Sequence, residues 1–251
     1  MTTVEPAIGD AFGDVLRECW DAGAEAGHTF EVIERDDGLL LLADAARYFA
    51  GANPWSTHEA AILPLATGRV LDIGCGAGRH LAALGDRCQP EGIDPSPGAV
   101  QVCRARGLAA RVADIDHLPA GAHGKDAYDT LLLFGNNLGL LGSPEAAPGR
   151  LAGLAAVAAP GARILGSTTD PYATTNPLHL RYHQRNREHG RPAGQLRLRV
   201  RHQAIATPWF DYWWTSVAEL EQVLAGSPWR LSAIERDPGN AGRYAAVLML
   251  R

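Results

Sequence analysis

Three groups of residues in this chain are spaced for chemistry. The first is Gly74-Cys75-Gly76-Ala77-Gly78, a loop with glycine at every second position, preceded by Asp72. Glycine tolerates positive φ and has no Cβ, so a ligand can lie directly on such a backbone. The second is a pair of acids further along, Asp94 (before Pro95) and Asp114. A carboxylate at Asp94 can accept both hydroxyls of a ribose, which an apolar side chain cannot do. The third is His179 and His183, four apart and hence on one helical face, with Tyr172 just upstream. Imidazole titrates near neutral pH and can move a proton from an acceptor. The same spacing suits a metal, but no third ligand accompanies it, and no metal is expected.

These residues need elements to hold them. From Arg69 onward the chain alternates strand-like and helix-like segments, the pattern of a parallel sheet with crossover helices. Expected strands are 69–73, 89–93, 110–113, 128–134 and 162–167, with helices at 79–84, 97–106 and 145–158. Thr130-Leu131-Leu132-Leu133-Phe134 is nearly all apolar, as in a strand covered on both faces. Pro160-Gly161 reads as a turn that stops one helix and launches the fifth strand.

Beyond that strand the pattern changes. Residues 177–188 read as a helix. Residues 195–202 alternate, with Leu196, Leu198 and Val200 on one face and Arg197, Arg199 and Arg201 on the other, a half-buried antiparallel strand. Trp209–Thr215 can return as its hairpin partner. Ser216 and Glu219 form a capping box for the next helix, and two closing strands follow around Pro238-Gly239-Asn240. Before the sheet, helices are expected at 11–24 and 58–66, with a hairpin between them turning at Asp36-Asp37-Gly38.

The strand, glycine loop and helix around Asp72, Gly74, Cys75, Gly76 and Gly78 resemble the first motif of class I S-adenosylmethionine (SAM)-dependent methyltransferases. The resemblance extends through Asp94, Asp114 and Tyr128-Asp129-Thr130, in order and at βα spacing, over about residues 69–168. The spacing G-x-G-x-G also differs from the G-x-G-x-x-G of nicotinamide oxidoreductases, the first competing reading. The resemblance implies a Rossmann-like α/β fold: a mostly parallel seven-stranded sheet with an antiparallel last strand, an N-terminal helical cap and an inserted helix-hairpin module. Residues 1–67 would be the cap or lid, and 68–251 the SAM-binding domain, with an acceptor-binding insertion at about 170–215.

The implied cofactor is SAM, leaving as S-adenosyl-L-homocysteine (SAH). In the family the acid at Asp72 orders the loop near the methionine end, and the backbone of Gly74, Cys75, Gly76 and Gly78 lies beneath that end. Asp94 and Pro95 would meet the ribose. Asp114 would bind the adenine amino group while Ile115 packs on the ring. Phe134 and Asn136 would line the methyl passage. Cys75 reads as a small side chain fitting the turn and not as a nucleophile.

The acceptor would sit against the aromatic segment 172–214, with His183, His179 or Tyr172 as candidate proton-moving groups. Arg181, Arg185 and Arg199 could hold an anionic acceptor, or simply form a solvated face. The resemblance therefore implies methylation of O, N or S on a small molecule, anionic or aromatic. A SAM sensor without turnover and an RNA or protein methyltransferase are the alternatives. The net charge of −5 argues against a general nucleic-acid binder, although residues 179–202 hold seven arginines against Glu188.

No apolar run reaches the roughly 18–20 residues of a membrane span. The first fifteen residues, with Glu5, Asp10 and Asp14, do not read as a signal peptide. Cys19, Cys75, Cys88 and Cys103 form no C-x-x-C pair, which favours reduced thiols in a cytoplasm. A monomer or homodimer is expected.

Overall fold

The computed structural model describes residues 5–51, 56–119 and 124–251. The readings made for residues 1–4, and for 52–55 within the cap, lie outside the described residues. In chain order the cap supplies β1 (Ala7–Ile8), α1 (Ala11–Asp21), β2 (Phe30–Arg35), β3 (Leu40–Asp44) and α2 (Thr57–Ile62). The alternating region follows as β4 (Arg69–Ile73), α3 (Arg79–Leu84), β5 (Gln89–Asp94), α4 (Pro97–Ala105), β6 (Ala110–Val112), β7 (Tyr128–Leu133), α5 (Ala147–Ala156) and β8 (Ala158–Thr169). The remainder is α6 (Pro177–Glu188), β9 (Gln195–His202), β10 (Ile205–Ala206), β11 (Phe210–Trp213), α7 (Val217–Leu224), β12 (Trp229–Asp237) and β13 (Asn240–Leu250).

The main sheet has seven strands in the order β12-β13-β8-β7-β4-β5-β6. Strands β6, β5, β4, β7 and β8 run parallel, and β13 is antiparallel to both β8 and β12. Strand order reverses between β4 and β7, so their carboxyl ends flank the crevice where open α/β sheets take ligands. Strand β7 shows why the apolar run is needed. Leu131 and Leu133 enter one core with Ile73 and Ile164, while Leu132 and Phe134 enter another with Val70 and Leu165. The capping box at Ser216 and Glu219 starts α7 as the sequence predicts.

Two expectations change. Pro160-Gly161 does not precede the fifth strand but lies within it. Gly161 takes φ 76°, and the β7–β8 register shifts there, so the turn signal marks a bulge. The second change concerns the expected cap hairpin, which pairs beyond the cap. Its hairpin β2–β3 joins the inserted strands in a second, six-stranded sheet of order β1-β10-β9-β2-β3, with β11 also pairing β9. Strand β2 is antiparallel to β9, and Ile33 lies opposite Val200. The N-terminal hairpin and the inserted strands therefore share one sheet.

Helix α1 ties this second sheet to the main sheet. A Cβ on Gly98 of α4 would stand 2.6 Å from the Gly13 Cα of α1, so the two helices cross with backbone nearly touching. Asp10 fixes the crossing by accepting from Gly13 N at 3.0 Å and Gly98 N at 2.8 Å, capping both helices with one carboxylate. Among the described residues no helix is long and apolar enough to cross a membrane.

Candidate active site

The glycine loop leaves β4 and is pinned at once to β5: Gly74 N and Cys75 N both donate to Ile93 O, at 2.9 and 3.0 Å. Gly74 has φ 73°, and a Cβ there would meet the Asn137 amide at 2.5 Å, so two constraints exclude a side chain. Gly76 has φ 54° and looks out toward the lid, where Tyr48 and Phe12 stand 3.4 and 3.7 Å from a Cβ built on it. Gly78, at φ 79°, begins α3. The Cys75 sulfur points away from this surface, 4.0 Å from Cys103 Sγ in a small buried cluster. Its thiol is pushed up, first by the Cys103 contact and then by burial, which makes it a poor nucleophile.

Two acids lie beneath the loop. Asp72 is fully buried and, among the described residues, neither carboxylate oxygen accepts a hydrogen bond; the His80 ring nitrogen Nδ1 stands 3.4 Å away. An ionised carboxylate left this way is costly, and a cationic ligand group is what would satisfy it. Asp94 is 4% exposed and accepts from Gly76 N at 2.9 Å and Ser96 N at 3.0 Å. Burial raises its carboxyl to about 6, the two backbone bonds oppose this, and Asp10 and Asp72 add to the rise. Each of its oxygens keeps a second lone pair for a ligand hydroxyl. Pro95 is exposed beside it.

The next predicted residues are only partly free for a ligand. Asp114 Oδ1 holds its own turn, accepting from Asp116 N, His117 N and His117 Nδ1 at 3.0, 2.8 and 2.9 Å. Ile115 packs at the edge of the main core, 7% exposed. Phe134 likewise is buried, with its ring edge-to-face on His80 at 5.3 Å. Asn136 takes φ 69°, its N–H donates to Ser167 Oγ at 3.0 Å, and its Oδ1 accepts from Thr169 at 3.1 Å.

The structure adds residues that motif spacing does not reveal. Asn137 donates through Nδ2 to Ile73 O and Gly74 O, both at 3.0 Å, and accepts from the Tyr212 hydroxyl of the lid at 3.0 Å. Glu59 of α2 reaches under the β7 loop. Its Oε1 accepts from Gly135 N at 2.6 Å and Ser167 Oγ at 2.5 Å, and Oε2 lies 3.3 Å from Arg79. Burial would raise this carboxyl, but Arg79 foremost, then His80 and the two hydrogen bonds, keep it below its ordinary range. On the lid, Glu31 Oε2 accepts from Arg47 at 2.6 Å and from the Tyr48 hydroxyl at 2.8 Å. The signal for Glu59 was a lone acid before Ala60-Ala61-Ile62 in a short apolar helix. Glu31 had none, because its neighbours come from strand pairings remote in sequence.

The three residues predicted to move a proton are placed differently. Tyr172 is 56% exposed and donates to Glu219 at 2.8 Å. His179 Nδ1 is 3.2 Å from Arg35, and burial followed by that cation lowers its pKa. His183 is buried, and burial together with His179, Arg187 and Arg35 lowers its pKa too. Among the described residues no hydrogen bond joins any of the three to loop 74–78 or loop 134–137. The helix that carries both histidines packs instead on the second sheet, where Tyr182 meets Leu196 and Tyr212. The arginines are engaged as well: Arg185 pairs with Asp36 at 3.2 Å, and Arg199 with Glu34 and Glu5 at 2.7 and 2.6 Å, while Arg181 is exposed. Arg199 is 4% exposed, so the solvated arginine face holds only for its neighbours. Among the described residues no group of three or more His, Cys, Asp or Glu could hold a metal.

Residues 70–161, from β4 into β8, match the family described as "Methyltransferase domain". No curated protein matches the chain. Among solved structures, a SAM-dependent methyltransferase from Bacteroides fragilis in complex with SAH is 22% identical. It covers 99% of this chain and 98% of that one, with a TM-score of 0.79. The CcbJ methyltransferase from Streptomyces caelestis is 15% identical, covering 77% of this chain and 88% of that one, with a TM-score of 0.58. The 1,6-didemethyltoxoflavin-N1-methyltransferase of Burkholderia thailandensis is 18% identical over 79% and 77%, with a TM-score of 0.50. The chain has the fold of a small, stand-alone class I SAM-dependent methyltransferase.

Proposed function

We propose that the protein methylates a small-molecule acceptor at O, N or S, using SAM held between the glycine loop and the lid sheet. The observation that carries this reading is Asp72, a fully buried carboxylate without a hydrogen bond at the root of the glycine loop. SAM fits it, because its methionine end presents an ammonium and a sulfonium to that acid. Bound there, SAM would supply an electrophilic methyl carbon already attached to a good leaving group.

In this reading Gly74, Gly76 and Gly78 carry the methionine end on bare backbone, and Asp94 takes the ribose hydroxyls. Asp114 keeps Oδ2 for the adenine amino group. Asn137 and Glu59 hold the two loops that face the acceptor at fixed separation, so that positioning supplies most of the rate, worth about 7–11 kcal/mol when geometry is right. Residues 1–67 and the insertion at about 170–215 act together as the lid, and exclude water when closed. Pairing of Arg185 and Arg199 with lid acids removes them as an anion site, and with them the main support for RNA as the acceptor.

The test is release of SAH from SAM over a panel of small hydroxyl, amine and thiol compounds, read by mass spectrometry. Acceptor-dependent SAH formation supports the proposal. Tight SAH binding with no turnover on any class would instead indicate a sensor.

A further inference from the structure

The lid sheet carries one buried carboxylate that the cofactor reading does not use. The register places Glu31, Ile33 and Arg35 of β2 on the same face as Leu198 and Val200 of β9 and Phe210 and Tyr212 of β11. Tyr212 on that face reaches Asn137 of the main sheet, so this face looks toward the glycine loop. Glu31 is held there from one side only. Its Oε2 accepts from both Arg47 and Tyr48, and Arg47 donates on to the Tyr48 hydroxyl at 2.9 Å, closing a three-membered cluster. Its Oε1 makes no hydrogen bond among the described residues, although the side chain is only 4% exposed. The Tyr48 ring in turn covers Gly76.

The other acids near the loop are accounted for. Asp10 caps two helices, Glu59 is satisfied by Gly135, Ser167 and Arg79, Asp94 anchors the loop, and Asp72 awaits the methyl donor. The cation on the lid face, Arg35, is spent on Asp37 at 2.7 and 2.8 Å. Glu31 is buried and its charge is paired with Arg47 at 2.6 Å, but among the described residues its Oε1 keeps lone pairs that suit a ligand bringing N–H donors. Charge-assisted bonds of this kind are roughly twice as strong as neutral ones. An anionic acceptor would face repulsion from the same oxygen.

We propose that the acceptor is a primary or secondary amine, bound through its nitrogen to Glu31 Oε1. This rests on the methyltransferase reading and narrows it to N-methylation. The amine would arrive protonated; one N–H bond would break as its proton passes to Glu31 Oε1, and the freed nitrogen lone pair would form the N–C bond as the methyl–sulfur bond breaks, its electron pair staying on the sulfur of the departing SAH. Burial raises the Glu31 carboxyl, and the Arg47 and Tyr48 contacts oppose this, so Glu31 is suited to hold that proton briefly. Tyr48 orients Glu31 and is a positioning residue.

The experiment uses the full chain saturated with SAH, whose binding is measured first by calorimetry. Three probes of matched shape are then titrated: 2-phenylethylamine, 2-phenylethanol and phenylacetate. The amine is expected to bind about tenfold or more tightly than the alcohol, with the acid weakest. Glu31→Gln should abolish that preference and leave SAH affinity within about twofold. Equal or undetectable binding of all three probes, or preference for the alcohol or acid, overturns the proposal. So does a loss of SAH affinity in Glu31→Gln with the amine preference intact, which would assign Glu31 to the donor. Failure of SAH itself to bind would sink the methyltransferase reading before the probes are added. The wild-type preference needs no variant and stands even if Glu31→Gln fails to fold.

Discussion

The Tyr212 hydroxyl of the lid donates to Asn137 Oδ1 at 3.0 Å, while the Asn137 amide donates to the carbonyls of Ile73 and Gly74. One asparagine thus joins the lid, the end of β4 and the start of the loop after β7. Both amide groups are used, and no donor of that side chain is left to a ligand.

Cutting this junction should separate lid closure from loop geometry. Tyr212→Phe removes one buried hydrogen bond and should cost about 0.5–1.5 kcal/mol of stability. It should weaken acceptor binding more than SAH binding. Asn137→Ala removes three bonds and should weaken both. Urea denaturation with calorimetry on each variant checks the order. Equal effects of the two substitutions on SAH affinity would contradict it.

The helix crossing offers a second test. In Gly98→Ala the new methyl would sit 2.6 Å from Gly13 Cα, where only backbone can yield. Overpacking of this sort costs typically about 1–3 kcal/mol. The expected outcome is a lowered melting temperature and faster proteolysis of the segment between α1 and β2, with the main sheet intact by circular dichroism. Unchanged protection of that segment would show that α1 is not held by the crossing.

Asp94 predicts a pH dependence of known sign. Its folded-state carboxyl titrates at about 6, above the ordinary value of about 3.9, so the folded protein binds more protons than the unfolded chain between those values. Stability from this group is therefore highest below pH 4 and declines as pH rises through 6, by about 3 kcal/mol at most. Ribose hydroxyls favour the ionised form, so SAH affinity should move oppositely and weaken about tenfold from pH 7 to pH 5. Asp94→Asn should flatten both trends. A wild-type affinity that is constant over this range would remove Asp94 from the ribose.

Much of this arrangement was legible in the sequence because it is local. Asp72, the glycine loop and Asp94 fall within a single βαβ unit, and the apolar run at 130–134 announces a strand buried on both faces. The capping box at Ser216 needed only four residues to see. The joining of the cap hairpin to the inserted strands was not legible, because β2 pairs with β9 far along the chain, and no periodicity encodes which remote strand will be a partner. The aromatic and histidine cluster drew attention to α6, yet Tyr182 packs against the sheet and His179 meets Arg35. Arg199 looked like part of a charged face, but Glu5 and Glu34 bury its charge. Pro160-Gly161 carried a real backbone signal that a parallel strand absorbed as a bulge.

Glu59 tests how the loop after β7 is fixed. Glu59→Ala would leave Gly135 N, Ser167 and Arg79 without their acceptor, and loss of one partner from a buried charged network costs about 3–5 kcal/mol. Glu59→Gln keeps one carbonyl acceptor and should lose less. Chemical denaturation of both variants measures the difference. If alanine proves no worse than glutamine, the carboxylate is not what holds this loop.

If the glycine loop is a SAM site, it should take SAH and refuse a dinucleotide. Calorimetric titration of the purified chain with SAH and, separately, with NAD tests it most directly. The structure predicts one saturable SAH site, no measurable NAD binding, and an SAH affinity reduced about tenfold or more in Asp94→Ala. Binding of NAD with no binding of SAH would contradict the account.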